Sequence, residues 1–307
     1  MIRMPSKSFR GPLPPLTSEQ LALRDALERD VTALAGEIGE RNVFNPAKLK
    51  AAASYISNAF AAAGYEVSHQ RYEACRELCE NLSVQITGSR YPAEIIIAGA
   101  HYDSVSGSPG ANDNGSGVAA LLALAREWYG RSPARTLRFV AFVNEEPPFF
   151  QTEQMGSLVY AKECRKRGEQ IVAMLSLETI GYYSDMPGSQ KYPPPVGLFY
   201  PSRGNFIGFV GNVTSRKLVR RCVGVFRANA QFPCEGGALP ELLPGITWSD
   251  HWAFWRVGYP AVMVTDTAPF RYPYYHAEND TLDKLDFDRL ARVVCGIGHV
   301  IDELANR

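Results

Sequence analysis

The sequence has no excess of charge of either sign, because 32 lysines and arginines balance 32 aspartates and glutamates, for a formal net charge of zero at pH 7. Proteins whose main partner is nucleic acid or an anionic membrane usually carry a basic surplus. The chain also lacks any apolar run approaching the ~20 residues that span a bilayer. We therefore expect a protein that binds neither nucleic acid nor membrane.

Cysteine is scarce as well, with six residues in 307, and none of them forms a Cys-x-x-Cys pair. Scattered cysteines in a chain of this length are typical of reduced, cytosolic proteins, although the spacing of Cys75 and Cys79 leaves a disulfide between them as an alternative. The first 15 residues carry Arg3, Lys7 and Arg10 but no apolar core, which does not fit a signal peptide. The expected location is cytoplasmic.

What the sequence does contain is a regular succession of predicted elements. Residues 1–16 are rich in proline and glycine and are expected to be extended. The helices predicted from apolar periodicity and capping signals cover residues 17–40, 46–63, 116–128, 156–167, 215–229 and 285–306. The predicted strands cover residues 66–72, 81–87, 93–98, 136–143, 171–177, 206–210 and 259–264.

Strands and helices alternate from residue 93 onward, which predicts a mostly parallel sheet covered on both faces. The early strands have no helix between them and are expected to add antiparallel pairs. The predicted fold class is therefore α/β, with three layers (α/β/α) around a mixed, mostly parallel twisted sheet. We expect one domain over residues 17–307, with a Pro- and Gly-rich loop insertion near 182–205 over the carboxyl edge of the sheet.

Two residues near the third predicted strand carry the first chemical signal. His101 follows the apolar run 95–98, and Asp113 lies in a Gly- and Asn-rich turn that opens the next helix. Both are thus placed at the carboxyl edge of the sheet, where open α/β sheets hold their sites. An imidazole and a carboxylate suit a borderline metal such as zinc, and Asp103 can fix the tautomer of His101. A turn that binds nothing is the alternative reading of this stretch alone.

Further carboxylates and a histidine follow later strands. Strand 136–143 ends at Asn144, Glu145 and Glu146; Glu178 follows strand 171–177, and His276 lies in an aromatic loop. Each alone fits a solvated loop, but with the first pair they form a candidate set for two ions: His101, Asp113, Glu146, Glu178 and His276. Hydrolases that clamp a water between two metals hold them ~3.5–4 Å apart. Glu145 is left over as a candidate general base.

Taken as a set, these motifs resemble the co-catalytic zinc aminopeptidase family, which also contains glutamate carboxypeptidase II and, more distantly, the glutaminyl cyclases. They occur in the family's order from about residue 91 to the end of the chain. The motifs are His-Tyr-Asp-Ser at 101–104, Gly-Ala-Asn-Asp-Asn-Gly-Ser-Gly at 110–117, Asn-Glu-Glu at 144–146, Leu-Glu-Thr-Ile-Gly-Tyr at 177–182, Ser-Asp-His at 249–251, and Tyr-His at 275–276 with Asp-Thr at 280–281.

The resemblance implies a zinc-dependent exopeptidase, and most directly an aminopeptidase that acts on peptides with two zinc ions per chain. It implies that Asp113 bridges the two ions. One ion would be completed by His101 and Glu178, and the other by Glu146 and His276. Some members have Asp where this chain has Glu178, so the longer side chain puts the occupancy of that ion in question.

The resemblance also implies the remaining roles. Glu145 would be the general base and then the proton donor to the leaving amine, and Asp103 would orient His101. Tyr275 is a candidate oxyanion stabiliser. The Ser-Asp-His motif at 249–251 would lie at the rim, where His251 either contacts substrate or makes a structural hydrogen bond. The loop 147–150 departs from the compact version of its motif and is expected to form a specificity wall.

Three alternatives stay open from the sequence. A glutaminyl cyclase-like acyltransferase would use the same residue types with one zinc ion. A carboxypeptidase or a deacylase of amino-acid derivatives would use the same chemistry on another substrate. A binding domain without activity is disfavoured, because every expected ligand position holds a residue that can bind metal. The sequence does not decide side-chain preference or oligomeric state.

Overall fold

Eight strands form one mixed sheet in the computed structural model, which describes residues 3–307. Met1 and Ile2, the first two residues of the predicted extended segment, lie outside the described residues. The strands are β1 (Ser68–Ala74), β2 (Glu77–Ile86), β3 (Tyr91–His101), β4 (Arg135–Phe142), β5 (Gln170–Glu178), β6 (Ile207–Gly211), β7 (Cys234–Ala238) and β8 (Ala261–Thr265).

The order across the sheet is β1-β2-β4-β3-β5-β8-β6-β7. The four central strands, β4, β3, β5 and β8, run parallel to their neighbours in that group. Antiparallel pairs join β1 to β2, β2 to β4, and β8 to β6, while β6 and β7 are parallel. The predicted mixed, mostly parallel sheet is confirmed.

Seven α-helices accompany the sheet in the described part of the chain. They are α1 (Ser18–Val31), α2 (Pro46–Ala62), α3 (Gly117–Trp128), α4 (Gly156–Lys166), α5 (Arg216–Asn229), α6 (His251–Arg256) and α7 (Phe287–Asn306). A capping box between Thr17 and Gln20 starts α1. The single helix predicted over 17–40 is regular only to Val31 and continues as a π-helical turn, Thr32–Ile38.

The helices cover both faces of the sheet, which gives the predicted three layers. Successive side chains of a strand point to opposite faces, and β3 shows this directly. Ile96 and Ala98 pack into a large core with α1, α2, α3, α5 and α7. Ile95 and Ile97 pack into a smaller core with α4 and α6. The carboxyl ends of the central strands are therefore the open edge between two covered faces.

Strand β7 is not among the predicted strands, because the segment 231–245 is rich in proline and glycine and predicts a loop. Gly236 and Gly237 weaken any strand signal in the sequence, but the register with β6 from Cys234 to Ala238 is continuous. The extended N-terminal segment lies beside this edge, where the Ser8 hydroxyl accepts the N–H of Cys234 at 2.9 Å.

Two further features bear on the expectations from composition. All six cysteines are free in the described residues, so the alternative of a disulfide between Cys75 and Cys79 is wrong. Among residues 3–307, none of the helices has the length and apolar character needed to cross a bilayer.

Candidate metal centre

Three neighbouring strands end at one point of the sheet edge and bring the first ligand candidates together. His101 is the last residue of β3 and Glu178 the last residue of β5. His101 is paired with Phe142, the last residue of β4, so the turn that carries Glu145 and Glu146 starts beside it. This is the carboxyl edge where the sequence placed the site.

An inner group forms around one oxygen of Asp113. The Nε2 of His101 lies 3.4 Å from Asp113 Oδ1 and 3.3 Å from Glu178 Oε2. All three side chains are buried. Their potential ligand atoms lie within 4.8 Å of one another, which is close enough to surround a single ion.

An outer group forms around the other oxygen of the same carboxylate. The Nε2 of His276 lies 3.2 Å from Asp113 Oδ2 and 3.3 Å from Glu146 Oε2. Again the potential ligand atoms lie within 4.8 Å of one another. Glu146 is buried, but the side chain of His276 is 32% exposed. Asp113 is thus shared by the two groups.

The two groups fit bound cations on more than proximity. His101 Nε2 and Asp113 Oδ1 are buried and make no hydrogen bond within the described residues. Buried polar atoms are normally paired, so unpaired ones that face each other call for a missing partner. Two imidazoles and three carboxylates form the mixed nitrogen and oxygen donor set that zinc accepts.

The pKa values of Glu146 and His276 are both raised, which indicates that this cluster of carboxylates favours an added positive charge. Burial, reinforced by the nearby charge of Asp113, raises the pKa of Glu146 to about 7. For His276, burial works in the opposite direction, yet Asp113 and Glu146 raise its pKa to about 10. Protons thus compensate carboxylates that a metal ion would otherwise neutralise.

Glu145 stands beside both groups without belonging to either. Its Oε2 lies 3.9 Å from His101 Nε2, and the side chain is buried. Burial raises its pKa well above the usual range; the charge of His101 opposes this rise and that of Glu178 adds to it. A buried carboxyl with a raised proton affinity suits a group that takes up a proton and gives it back.

Asp103 holds the turn that carries both glutamates. Its carboxylate accepts the main-chain N–H of Glu145 at 3.1 Å and that of Glu146 at 3.0 Å. The Nδ1 of His101 lies 3.2 Å from the main-chain oxygen of Asp103 and 3.5 Å from its Oδ1. The expected orienting contact to His101 therefore runs first through the carbonyl, while the carboxylate fixes the glutamates.

The turn around Asp113 is held by a carboxylate from the far end of the chain. Asp280 accepts the N–H of Asn112 at 2.9 Å and that of Asp113 at 3.1 Å. The hydroxyl of Tyr272 donates to Asp280 at 2.6 Å. Asp280 lies four residues after His276, so one side chain ties the shared carboxylate to the loop of the outer group. The sequence signalled Asp280 only as part of a motif and gave it no role.

Backbone conformation at the ligand turns is unusual. Asn144, Thr179 and His276 have φ values of 60°, 41° and 56°, in the left-handed region that non-glycine residues rarely adopt. Each lies at or next to a candidate ligand or base. Such residues concentrate at functional sites, where the surrounding structure holds them in place. The peptide bond between Asp113 and Asn114 is cis.

The Ser-Asp-His motif lies below the site and not at its rim, so that expectation is wrong. Ser249, Asp250 and His251 are fully buried. The hydroxyl of Ser249 donates to Glu178 Oε2 at 2.7 Å and so orients a candidate ligand.

His251 faces away from the groups. Its Nε2 donates to the carbonyl of Ile246 at 2.7 Å, and its ring packs edge-on against Trp255. Burial lowers the pKa of His251 to about 4. Of the two roles left open for this residue, the geometry supports the structural hydrogen bond.

Tyr275 stands between the outer group and an apolar pocket. Its ring stacks on His276 with 3.9 Å between centroids. Burial and the nearby carboxylates, Asp113 first, raise the pKa of its phenol far above the usual range, so the hydroxyl stays protonated.

The pocket beside Tyr275 and Glu178 has an empty volume of about 840 Å³, part of it open to solvent. Strands β6, β7 and β8 form its floor, and the segment 182–205 contributes part of its roof. Its apolar lining includes Tyr192, Val196, Phe206, Val210, Leu243, Ile246, Trp248, Met263 and Phe270. Phe149, of the loop expected to form a specificity wall, is buried but does not line this pocket.

Comparison with known sequences identifies a family and relatives that align over most of this chain. The model of peptidase family M28 matches residues 81–301. The uncharacterized protein YfbL of Escherichia coli (strain K12) is 37% identical over 292 residues, covering 89% of this chain and 86% of that protein. A probable leucine aminopeptidase of Trichophyton verrucosum (strain HKI 0517) is 28% identical over 233 residues, covering 70% of this chain. The aligned region spans only 55% of that relative.

Comparison with solved structures supports the fold. BSAP, a zinc aminopeptidase from Bacillus subtilis, matches with a TM-score of 0.73 and 15% identity, covering 92% of this chain and 95% of that one. A glutaminyl cyclase from Bacteroides thetaiotaomicron, bound to N-acetylhistamine, matches with a TM-score of 0.67 and 18% identity, covering 91% and 97%. At identities this low, the similarity shows a shared fold.

Proposed function

The chain belongs to peptidase family M28, and on that premise we propose that it is a zinc-dependent aminopeptidase that removes N-terminal residues from peptides. The observation that carries the proposal is the shared carboxylate of Asp113, whose two oxygens face two separate groups of ligand atoms. We assign His101 and Glu178 to one zinc ion, and Glu146 and His276 to the other.

Zinc bound at these positions would lower the pKa of a coordinated water toward ~7 and polarise the scissile carbonyl. Glu145 takes the proton from the attacking water and then delivers it to the leaving amine. Its burial supports this role, because a carboxyl with a raised pKa holds a proton between the two steps. Asp103 keeps Glu145 in place through the hydrogen bond to its main-chain N–H.

Tyr275 is proposed to stabilise the oxyanion that develops on the attacked carbonyl. A donor aimed at the developing charge contributes most when it is fixed and shielded from water. The stacking on His276 fixes the ring, and its raised pKa keeps the hydroxyl a donor across the working pH range.

The apolar pocket is proposed to bind the side chain of the N-terminal residue. Glu178 and Tyr275 line its inner end, so a substrate with its scissile carbonyl at the centre would place that side chain among apolar groups. Removing apolar surface from water favours bulky side chains by about 25 cal/mol per Å². We therefore propose a preference for large apolar N-terminal residues.

A substrate panel on metal-quantified protein tests the activity. Two zinc ions per chain and release of leucine or phenylalanine from free-amine substrates, with no cleavage of N-acetylated ones, is the expected result. Cleavage only of N-blocked or C-terminal residues would replace the aminopeptidase by a deacylase or carboxypeptidase.

Glutaminyl cyclase-like acyl transfer is the second candidate. The match to a glutaminyl cyclase structure and the more exposed outer group both favour keeping it in the test. One zinc ion per chain with cyclisation of N-terminal glutamine would select it over the peptidase.

The pocket is tested by filling it. Val210 lies on β6 and lines the pocket, whereas Val213 follows the same strand and is 49% exposed outside it. Val210→Trp is expected to raise KM for leucine and phenylalanine substrates about tenfold and for alanine substrates much less. Val213→Trp is the matched control. Equal effects of the two variants would show that the side chain binds elsewhere.

The cytoplasmic location is also proposed, with its support in the six free thiols, five of which are partly or fully buried. Fractionation of cells that produce the full-length protein is the test, and recovery outside the cytoplasm would contradict it.

A further inference from the structure

A single arginine, distant in sequence, holds the segments beside His101 and Asp113, two of the three residues of the inner group. Arg41 lies between α1 and α2, and its side chain is fully buried. None of the motifs at the site includes it. We propose that Arg41 is a positioning residue that sets the spacing between His101 and Asp113, and so the zinc affinity of the inner position. The inference rests on the proposed metal centre.

Within residues 3–307, every hydrogen bond from the guanidinium goes to a main-chain carbonyl. Its Nε donates to Tyr102 at 2.6 Å, its Nη2 to Gly110 at 2.9 Å, and its Nη1 to Pro109 at 2.5 Å. Tyr102 directly follows His101, and Gly110 precedes Asp113 by three residues. One rigid planar group therefore fixes the distance between the two turns from below.

The main chain of Arg41 adds to the same attachment. Its carbonyl accepts the N–H of Ser104 at 2.9 Å, and its N–H donates to the Ser104 hydroxyl at 3.1 Å. That hydroxyl donates in turn to the carbonyl of Ser108 at 2.8 Å. Both ends of the loop 102–110 are thus tied to one residue.

The tight packing of the loop that Arg41 holds also accounts for the glycine at position 110. Gly110 has a φ of 63°, and a Cβ there would lie 2.4 Å from the carbonyl oxygen of Asp113 and 3.2 Å from Arg41 Nη2. Any side chain would displace the guanidinium or the Asp113 turn. Position 110 is therefore closed to residues other than glycine, first by the Asp113 carbonyl oxygen and the Ser104 Cβ at 2.7 Å and only then by the guanidinium.

The buried charge contributes as well. Burial lowers the pKa of Arg41 to about 10, and the charges of Asp103, Asp280, Asp113 and Glu146 favour its ionised form, so it stays cationic at neutral pH. A fixed cation below the carboxylates reduces their mutual repulsion before any metal binds. Lysine would keep the charge but could not reach Tyr102 and Gly110 together, since it lacks the planar fork.

The test compares Arg41→Lys with Arg138→Lys. Arg138 is also buried but donates to Gln85, Tyr160 and Glu169 on β2, α4 and the adjoining turn. Both substitutions are made in a His276→Ala background, which leaves the inner position alone. Metal-free protein is titrated with Zn²⁺ against a chromophoric chelator, and the melting temperature is recorded in parallel.

We expect Arg41→Lys to weaken inner zinc binding by about 10–100-fold, the range found when groups that orient ligands are removed. Arg138→Lys should lower the melting temperature and leave zinc affinity unchanged. Unchanged affinity in Arg41→Lys, with tight binding in the background protein, overturns this inference alone. Absence of zinc binding in the wild-type protein would instead overturn the proposed metal centre.

A milder variant keeps the inference testable if Arg41→Lys does not fold. Ser104→Ala removes only the hydroxyl that accepts from the Arg41 main chain, and we expect a fall in inner affinity of about threefold to tenfold. Hydrogen exchange of the amides at 102–110 should quicken with it. Wild-type affinity and exchange in this variant would overturn the inference.

Discussion

The inner and outer groups share Asp113 but are built from different material. The inner candidate ligands His101 and Glu178 end two adjacent strands, are buried, and are held by the sheet and, for Glu178, by Ser249. The outer candidate ligands Glu146 and His276 lie in loops, and His276 is one-third exposed with a left-handed backbone. Strand ends are positioned by the hydrogen-bond ladder of the sheet, whereas these loop residues depend on a few individual hydrogen bonds, such as the one from the Glu146 N–H to Asp103.

This difference predicts unequal metal positions. A preformed, buried ligand set loses little entropy when it binds an ion, and a partly exposed loop ligand must be ordered in the same step. We therefore expect the inner position to bind zinc more tightly and the outer position to exchange first.

Removing the shared carboxylate should disrupt both the inner and the outer group. Asp113→Ala takes one oxygen from each group, so we expect zinc content to fall from two ions toward none and activity to fall by at least roughly 10⁴-fold. Atomic absorption on dialysed protein and a leucine-substrate assay measure the two effects. Retention of two tightly bound ions would contradict the shared role.

Replacing Glu145 should leave zinc binding at both the inner and the outer group intact. Glu145→Gln preserves shape but not basicity, and general acid–base catalysis contributes about 10²–10⁴-fold. We expect kcat to fall within that range while two zinc ions remain bound. Asp25→Asn, at an exposed position on α1, serves as the surface control. Near-normal turnover in Glu145→Gln would reject the general base.

Removing one candidate ligand from each group in turn should distinguish zinc binding at the outer position from zinc binding at the inner position. His276→Ala should lose one zinc ion, keep the other, and lower activity by about 10²-fold. His101→Ala should weaken the tighter binding step instead. Equal effects of the two substitutions on both binding steps would show that the groups do not act as separate positions.

The outer half should also give the metal-free protein a pH signature. Asp113 and Glu146 raise the pKa of His276 from 6.5 to about 10 against the opposing effect of burial. Because the folded state holds this proton more tightly than the unfolded state, its stabilisation is complete below about pH 6.5 and is lost toward about pH 10.

We therefore expect the melting temperature of metal-free protein to fall between about pH 7.5 and pH 9.5. The fall should be smaller in His276→Gln and should be suppressed by zinc, which replaces the proton as the positive charge. Parallel profiles for the wild type and the variant would contradict the assignment. Because the pKa of Glu146 is about 7, the change in its protonation affects stability mainly at pH values below this interval.

The contrast between the halves also explains what the sequence could predict. Strands β3, β4 and β5 are mostly apolar segments that stop at polar residues, so the edge that holds His101 and Glu178 was predictable. The prediction that His276 lies beside Asp113 and Glu146 depended on the resemblance to a family, because no local sequence pattern relates a loop residue to a distant strand. The structure brings all five side chains together, while their roles as ligands remain proposals.

The supporting contacts were the least predictable part. Arg41 acts on main-chain carbonyls, which every residue carries, so its partners leave no mark in the sequence. Asp280 lies in a recognised motif, but its bonds to Asn112 and Asp113 depend on a fold that joins positions 168 and 167 residues apart. Strand β7 was missed because its Gly236 and Gly237 weaken any strand signal, and its pairing with β6 is non-local.

Anomalous diffraction at the zinc edge, from crystals of the zinc-loaded protein, tests the central claim most directly. We predict two peaks, one on each side of the Asp113 carboxylate, with the peak beside His276 losing occupancy first when crystals are soaked in chelator. A single peak, or peaks at other side chains, would contradict the account.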